Sequence, residues 1–295
     1  MVKRTNIEFQ SRGESCRGWF YASGGKGVAP CIVLAHGFGG TKELRLDAYA
    51  ERFARVGYHA MVFDYRHFGG SEGAPRQILN IRKQHQDWEA AIGHARSIPG
   101  VDPARIVLWG TSFSGGHVVA MAARDTAIAA VISQVPHLDG PATAMAAGMV
   151  RNIRLGLAAF RDSTRSIRNL EPYYVPIVGA PGSLAAMSAP GDLEGVMGLV
   201  PEGHEYDERV AARIFLAIAG YSPGRLASKL NMPWLVQIAL KDLTTPEGPA
   251  RKAAKRAPRG ECIAYDLGHF EVYVPPAFER TVSDQIDFLK RHVRV

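Results

Sequence analysis

The 295-residue sequence predicts an α/β architecture, a mostly parallel eight-stranded sheet flanked by helices and interrupted by one helical insertion. Three observations carry that expectation. Short, nearly uninterrupted apolar runs alternate with longer stretches of helical periodicity, the pattern of strands covered on both faces. A small-residue turn, GTSFSGG (110–116), joins one such run directly to a helical stretch. The alternation stops near residue 137 and resumes near 231, with a different pattern between.

In chain order, NIEFQ (6–10) and CRGWFYA (16–22) flank a polar SRGE turn and read as a β-hairpin. CIVLAH (31–36) reads as a buried strand, and Glu43 to Val56 as a helix with Leu46, Tyr49, Ala50 and Phe53 on one face. HAMVFDY (59–65) is the next strand, followed by a helix from about Asn80 to Ser97. RIVLWG (105–110), a helix over Phe113–Arg124 and IAAVISQV (128–135) continue the series. After the break come PWLVQIAL (233–240), a helix near 247–256, CIAYDL (262–267) and a helix from about Pro276 to His292. The core is therefore expected over 1–136 and 231–295, with 137–230 as a mainly helical cap lacking a clear strand pair. Within it, RNIRLGLAAFRDSTRSIR (151–168) places Ile153, Leu157, Phe160 and Ile167 on one helix face and five arginines around the rest.

Composition narrows the function classes. The chain is 46% hydrophobic and 21% charged, the balance of an ordinary globular protein. No apolar run approaches the ~20 residues of a membrane span, and MVKRTNIEFQSRGE has no apolar h-region, so no membrane association or secretory signal is expected. Cys16, Cys31 and Cys262 form no C-x-x-C pair, which points to a reducing cytoplasm and away from disulfide scaffolds or structural zinc. The net charge of +7 is spread without a Lys/Arg block, so no nucleic-acid partner is expected.

GTSFSGG nearly fits G-x-S-x-G, the turn that lifts a nucleophilic serine above a parallel sheet. Ser112 and Ser114 both have small residues two positions away, so sterics admit either. Strand length decides: RIVLWG is already six residues long at Gly110, which puts Ser112 just beyond its carboxyl end and Ser114 inside the first helical turn.

Five stretches, LAHGFGG (34–40), FDYRHFGGSEG (63–73), GTSFSGG (110–116), KDLTTP (241–246) and GHFEVY (268–273), occur in this order at strand ends or loops. With them the chain resembles a serine hydrolase of the α/β-hydrolase superfamily over almost all of its length outside the insertion. It is most similar to bacterial capped esterases of the dienelactone-hydrolase-like group, whose own members carry cysteine where Ser112 stands. The resemblance implies Ser112 as nucleophile, His269 as its base and Asp242 as the acid that orients the base, in the superfamily's chain order. His269 is one of ten histidines, distinguished by coming last, after a strand that ends near an Asp. Asp139, just past the strand ending at Val135, is the rival acid. The backbone N–H groups of Phe113 and, by resemblance to the His-Gly-x motif, Phe38 would form the oxyanion hole. His36 reads as structural, and Asp64, Arg66, Gly69 and Ser71 as a loop-bracing set.

The expected function is hydrolysis of carboxylic esters, thioesters and lactones included, through an acyl-enzyme, with a small-molecule ester as partner and no cofactor or metal. An acyltransferase with the same triad, or a non-catalytic binding protein on the same fold, are the alternatives. Phe160, Tyr173, Tyr174 and Met187 are expected in the substrate pocket. The arginines of 151–168 read either as a solvated face or as a site for an anionic substrate group. Assembly into a homo-oligomer stays open.

Overall fold

Eight strands form one sheet in the computed structural model, which describes residues 2–25 and 27–295. They are β1 (Lys3–Ser11), β2 (Glu14–Ala22), β3 (Ala29–Ala35), β4 (His59–Phe63), β5 (Val101–Thr111) and β6 (Ile128–Gln134), then β9 (Trp234–Ala239) and β10 (Gly260–Tyr265). The order across the sheet is β1-β2-β4-β3-β5-β6-β9-β10, antiparallel at β1 and β2 and parallel from β4 onward. The hairpin turns at Arg12 and Gly13, both at positive φ, the two-residue geometry whose twist matches its strands.

Alternate side chains of each strand feed two separate cores. Val33, Met61, Leu108, Val131 and Val236 pack on one face, beneath α2 (Ile81–Ser97), α3 (Phe113–Ala122) and α8 (Glu247–Arg256). Ile32, Leu34, Val62, Trp109, Ile132 and Leu235 pack on the other, beneath α1 (Leu46–Arg55) and α9 (Ala277–His292). Burial on both faces explains why the strands read as continuous apolar runs. A polar knot lies within the second layer: Gln285 Nε2 donates to Gln134 Oε1 at 2.9 Å and Gln237 Oε1 at 2.6 Å, while Gln285 Oε1 accepts from Trp109 Nε1 at 3.0 Å. It pins α9 to the carboxyl ends of β5, β6 and β9, where the sheet presents its loops.

Between β6 and β9 the chain forms α4 (Gly140–Ala147), α5 (Met149–Ile167), α6 (Asp192–Met197) and α7 (Phe215–Ile218). One expectation needs correction here. A strand pair does exist: β7 (Tyr174–Pro176) and β8 (Arg209–Ala211) form a small antiparallel sheet of three residues each. Ile153, Leu157, Phe160 and Ile167 do share a face of α5, but it is exposed, whereas Leu155, Ala158, Ala159 and Asp162 point inward. The cause is Asp162. Its buried carboxylate accepts hydrogen bonds from Tyr173 N and Arg213 N, both at 2.8 Å, and pairs with Arg213 Nε at 2.7 Å. A buried carboxylate without those partners would be costly, so its needs fix which face of α5 turns in.

Candidate active site

β5 ends at Thr111 and α3 begins at Phe113, leaving Ser112 alone at the junction with φ 54° and ψ −119°. That left-handed strain is held in place by three backbone bonds: Ser112 N donates to Gln134 O and Ser112 O accepts from His137 N, each at 2.9 Å, and Ser112 O also accepts from Gly115 N at 3.0 Å. The turn is tight enough that a Cβ on Gly110 would sit 2.3 Å from Ser114 O. Ser114 itself is buried away from the junction, its Oγ 2.8 Å from the Tyr65 hydroxyl.

Two further loops converge on Ser112. After β9, Leu240 N donates to Tyr265 O and Lys241 N to Leu267 O, each at 2.9 Å, so the ends of β9 and β10 run side by side. This sets Asp242 next to His269. His269 Nδ1 lies 2.6 Å from Asp242 Oδ2, and His269 Nε2 lies 3.1 Å from Ser112 Oγ. All three side chains are buried, with His269 at 5% and Ser112 at 8% exposure. Asp242 also accepts from Thr244 N at 2.8 Å, Thr245 N at 2.7 Å and Thr245 Oγ1 at 2.7 Å. Burial opposes its charge, yet His269 and the bonds from Thr245 outweigh that and hold the carboxyl below its ordinary value. Asp139 is elsewhere occupied: it caps α4, accepting from Ala142 N at 2.9 Å.

The loop after β3 passes directly over the junction. A Cβ on Gly37 would lie 2.8 Å from Ser112 Cβ, so only glycine fits. His36 anchors the loop's base, with Nε2 3.0 Å from Leu44 O and Nδ1 accepting from Gly37 N at 2.9 Å. Burial pushes its pKa down to about 4, so it stays neutral. Asp64 braces the same loop by accepting from Lys42 N at 2.7 Å and Gly70 N at 3.0 Å. Ser71 Oγ donates to Asp64 O at 2.7 Å, and Arg66 pairs with Asp87. Phe38 and Phe113 meet edge to face at 5.9 Å. Phe113 opens α3, where an N–H has no intrahelical acceptor. Neither Phe113 N nor Phe38 N donates a hydrogen bond to the described residues.

Ser112, Phe38 and Phe113 line a cavity of about 590 Å³ that Met187, Phe215 and Ile218 help enclose. His269 faces a second cavity of about 400 Å³, which shares Pro190, Asp192, Leu243 and Thr244 with the first. Of the four expected pocket residues, only Met187 lines the larger cavity. Phe160 is 66% exposed on the outer side of α5. Tyr173 carries Arg161 over its ring at 4.3 Å, and Tyr174 donates to Arg76 O at 3.1 Å. Neither tyrosine lines the cavity: Tyr173 packs within the insertion, and Tyr174 ties it to the loop after β4. Three neighbours of the site carried no signal singled out from sequence. Thr245 lies within the quoted KDLTTP stretch, but its role depends on side-chain direction. His137 stacks on Tyr221 at 6.1 Å and lines the cavity wall. Tyr221 in turn bonds His85 and His117 behind Phe113, at 3.0 and 2.7 Å.

The family described as serine aminopeptidase, S33, matches residues 27–268. The chain is 45% identical over 290 residues to the quorum-quenching protein AidA of Acinetobacter baumannii, covering 98% of this chain and 95% of that protein. It is 28% identical over 306 residues to the polyketide transferase ATR5 of Stachybotrys chlorohalonatus, covering 100% and 99%. The structure of DcsB in complex with its substrate analogue superposes with a TM-score of 0.86 at 24% identity, covering 99% of this chain and 100% of that one. The α/β hydrolase GrgF from Penicillium sp. superposes with a TM-score of 0.84 at 23% identity, covering 99% of this chain and 100% of that one, and this likeness shows the α/β-hydrolase fold.

Proposed function

We propose that this chain, which belongs to the α/β-hydrolase family described as serine aminopeptidase, S33, cleaves carboxylic esters through an acyl-enzyme on Ser112. One observation carries the reading: a strained Ser112 stands at a cavity, within 3.1 Å of a histidine whose other nitrogen is 2.6 Å from a buried carboxylate. On this reading Ser112 Oγ attacks the ester carbonyl while His269 Nε2 takes its proton. Asp242 fixes the tautomer with Nδ1–H donating, and stabilises the imidazolium as it forms. The N–H groups of Phe38 and Phe113, which donate to nothing else among the described residues, receive the oxyanion. His269 then protonates the leaving alcohol, and a water activated by the same histidine releases the acid.

The insertion, 137–230, acts as a cap that shapes the acyl and alcohol sites. This is supported by Met187, Phe215 and Ile218, which it contributes to the cavity wall. Thioesters and lactones pass through the same tetrahedral intermediate and belong to the proposed range. Transfer of the acyl group to an alcohol or amine is the second reading, supported by the similarity to a polyketide transferase along the full chain. No helix among the described residues is long and apolar enough to cross a membrane. The free cysteines Cys16, Cys31 and Cys262 support a cytoplasmic setting.

A screen of p-nitrophenyl esters and acyl thioesters of graded length tests the proposal, with Ser112→Ala as blank. Hydrolysis that vanishes in the variant is the expected result, and an added alcohol that diverts product to a new ester identifies the transferase. Turnover unchanged in Ser112→Ala overturns it.

A further inference from the structure

The arginines of α5 divide into two groups. Arg161 packs on Tyr173, and Arg165 Nε donates to Glu171 O at 2.6 Å, so these serve the insertion itself. Arg151 and Arg154 instead line the cavity that Ser112 lines. Neither forms an ion pair among the described residues: Arg151 Nη1 donates to Ser188 Oγ at 3.3 Å, and Arg154 Nη1 to Gly182 O at 3.1 Å. A guanidinium has five N–H donors, and Arg151 Nε is buried with no hydrogen-bond partner among the described residues.

The same wall includes Gly148, Met149 and Val150, the start of α5. The first intrahelical bond runs from Asn152 N to Gly148 O, so the N–H groups of the first turn have no intrahelical acceptor. No side chain caps this end and no acidic residue lies in its first turn. Uncapped N–H groups and the positive end of the helix dipole favour an anion. Among the described residues the cavity has one opposing carboxylate, Asp192, whose oxygens are held by Thr244 Oγ1 at 2.8 Å and Ala189 N at 2.7 Å. The cavity wall therefore carries two guanidinium groups, Arg151 half-buried and Arg154 exposed, and an open helix end, against a single, locally engaged acid. Burial disfavours the charge on Arg151, and Asp192 only partly offsets this, so a bound anion would relieve it.

We propose that Arg151, Arg154 and the open first turn of α5 form an anion subsite in the substrate cavity, selecting esters or thioesters that carry a carboxylate or phosphate away from the scissile carbonyl. The inference rests on the ester-hydrolase reading and adds a substrate class to it. The planar fork of each arginine suits either anion, since both accept paired N–H donors. Such an anion could sit at the far end of a dicarboxylic acyl chain or on a phosphopantetheine-type thiol.

Two matched pairs at low ionic strength separate these sources: p-nitrophenyl pentanoate against the mono-p-nitrophenyl ester of glutaric acid, and butyryl-N-acetylcysteamine against butyryl-CoA. The charged member of at least one pair should have the higher kcat/KM. Arg151→Gln with Arg154→Gln should lower that value by roughly 10- to 100-fold, as for lost charge-assisted hydrogen bonds, while the uncharged partner changes less than about threefold. Preference confined to the glutarate pair assigns a carboxylate, and preference confined to the CoA pair assigns a phosphate. No preference in either pair, or equal losses on both members, overturns the subsite. If the wild-type protein hydrolyses none of the four, the hydrolase reading fails on its own. Calorimetric titration with glutarate and 4′-phosphopantetheine then decides the subsite: binding weakened at least about tenfold in the double variant supports it, and absent or unaltered binding overturns it.

Discussion

Thr245 does for Asp242 what Asp242 is proposed to do for His269. Its hydroxyl lies 2.7 Å from Asp242 Oδ2, 3.0 Å from Val135 O and 3.3 Å from His269 Nδ1, at the hinge of the three loops. A hydroxyl has a single proton to give, and giving it to the carboxylate helps keep Asp242 charged and directed. Thr245→Val, close in shape but without the donor, should lower kcat on a good ester by roughly tenfold, the scale of one hydrogen bond to a charged group. Thr245→Ser should restore most of it. Equal losses in both variants would mean that the methyl group, through packing, matters more than the hydroxyl. Ser112, Asp242 and His269 could be chosen from sequence because each follows a strand and sits in a recognisable turn. Thr245 could not, because nothing in a Thr-Thr-Pro sequence says which hydroxyl turns toward the acid. Arg151 and Arg154 were part of an arginine-rich stretch whose division between cavity and surface depends on the helix's rotation.

That rotation is what helical periodicity alone does not fix. The apolar residues of α5 recur at helical spacing, and the ordinary rule turns such a stripe toward the core. Here the one acidic residue of the helix, Asp162, outranks the stripe because its buried charge must meet Arg213. The strand pair β7–β8 was missed for a different reason: three residues are too few to show alternation. The core strands and helices, long and strongly patterned, were placed to within a few residues, apart from β5, which starts four residues earlier than RIVLWG. The orientation of α5 gives a contrast within the insertion. Met187→Ala opens the cavity wall, and each methylene of space is worth ~0.8 kcal/mol to a longer acyl chain. Its kcat/KM ratio for octanoyl over acetyl p-nitrophenyl esters should therefore rise by roughly an order of magnitude. Phe160→Ala, on the exposed side, should leave the ratio unchanged. A Phe160→Ala shift as large as that of Met187→Ala would place the pocket on the wrong side of α5.

Across the whole molecule, function is supported by a sheet whose carboxyl edge gathers loops from distant parts of the chain, and that edge is rich in buried neutral histidines. Burial pushes His36, His85 and His137 down to about 4, with Arg124 adding to the effect at His85, and pushes His117 well below its ordinary value of 6.5. In the unfolded chain these groups would take up protons near pH 6.5, whereas in the fold they resist until about pH 4. The unfolded state thus binds more protons in that window, and stability falls as pH drops through it. Asp242 acts in the same direction lower down: its depressed pKa contributes stability above the unfolded carboxylate range, lost on further acidification. The urea midpoint should decline steadily from pH 6.5 to 4.5, with up to ~1.4 kcal/mol per pH unit from each buried histidine. A flat midpoint would mean that these histidines are solvated. Above all, the proposed chemistry runs through one oxygen atom, Ser112 Oγ. The most direct measurement is intact-protein and peptide mass spectrometry after treatment with a fluorophosphonate. A single adduct is expected on the peptide containing residues 106–116, present in the wild type and Ser114→Ala and absent in Ser112→Ala. An adduct that persists in Ser112→Ala and disappears in Ser114→Ala would contradict that chemistry.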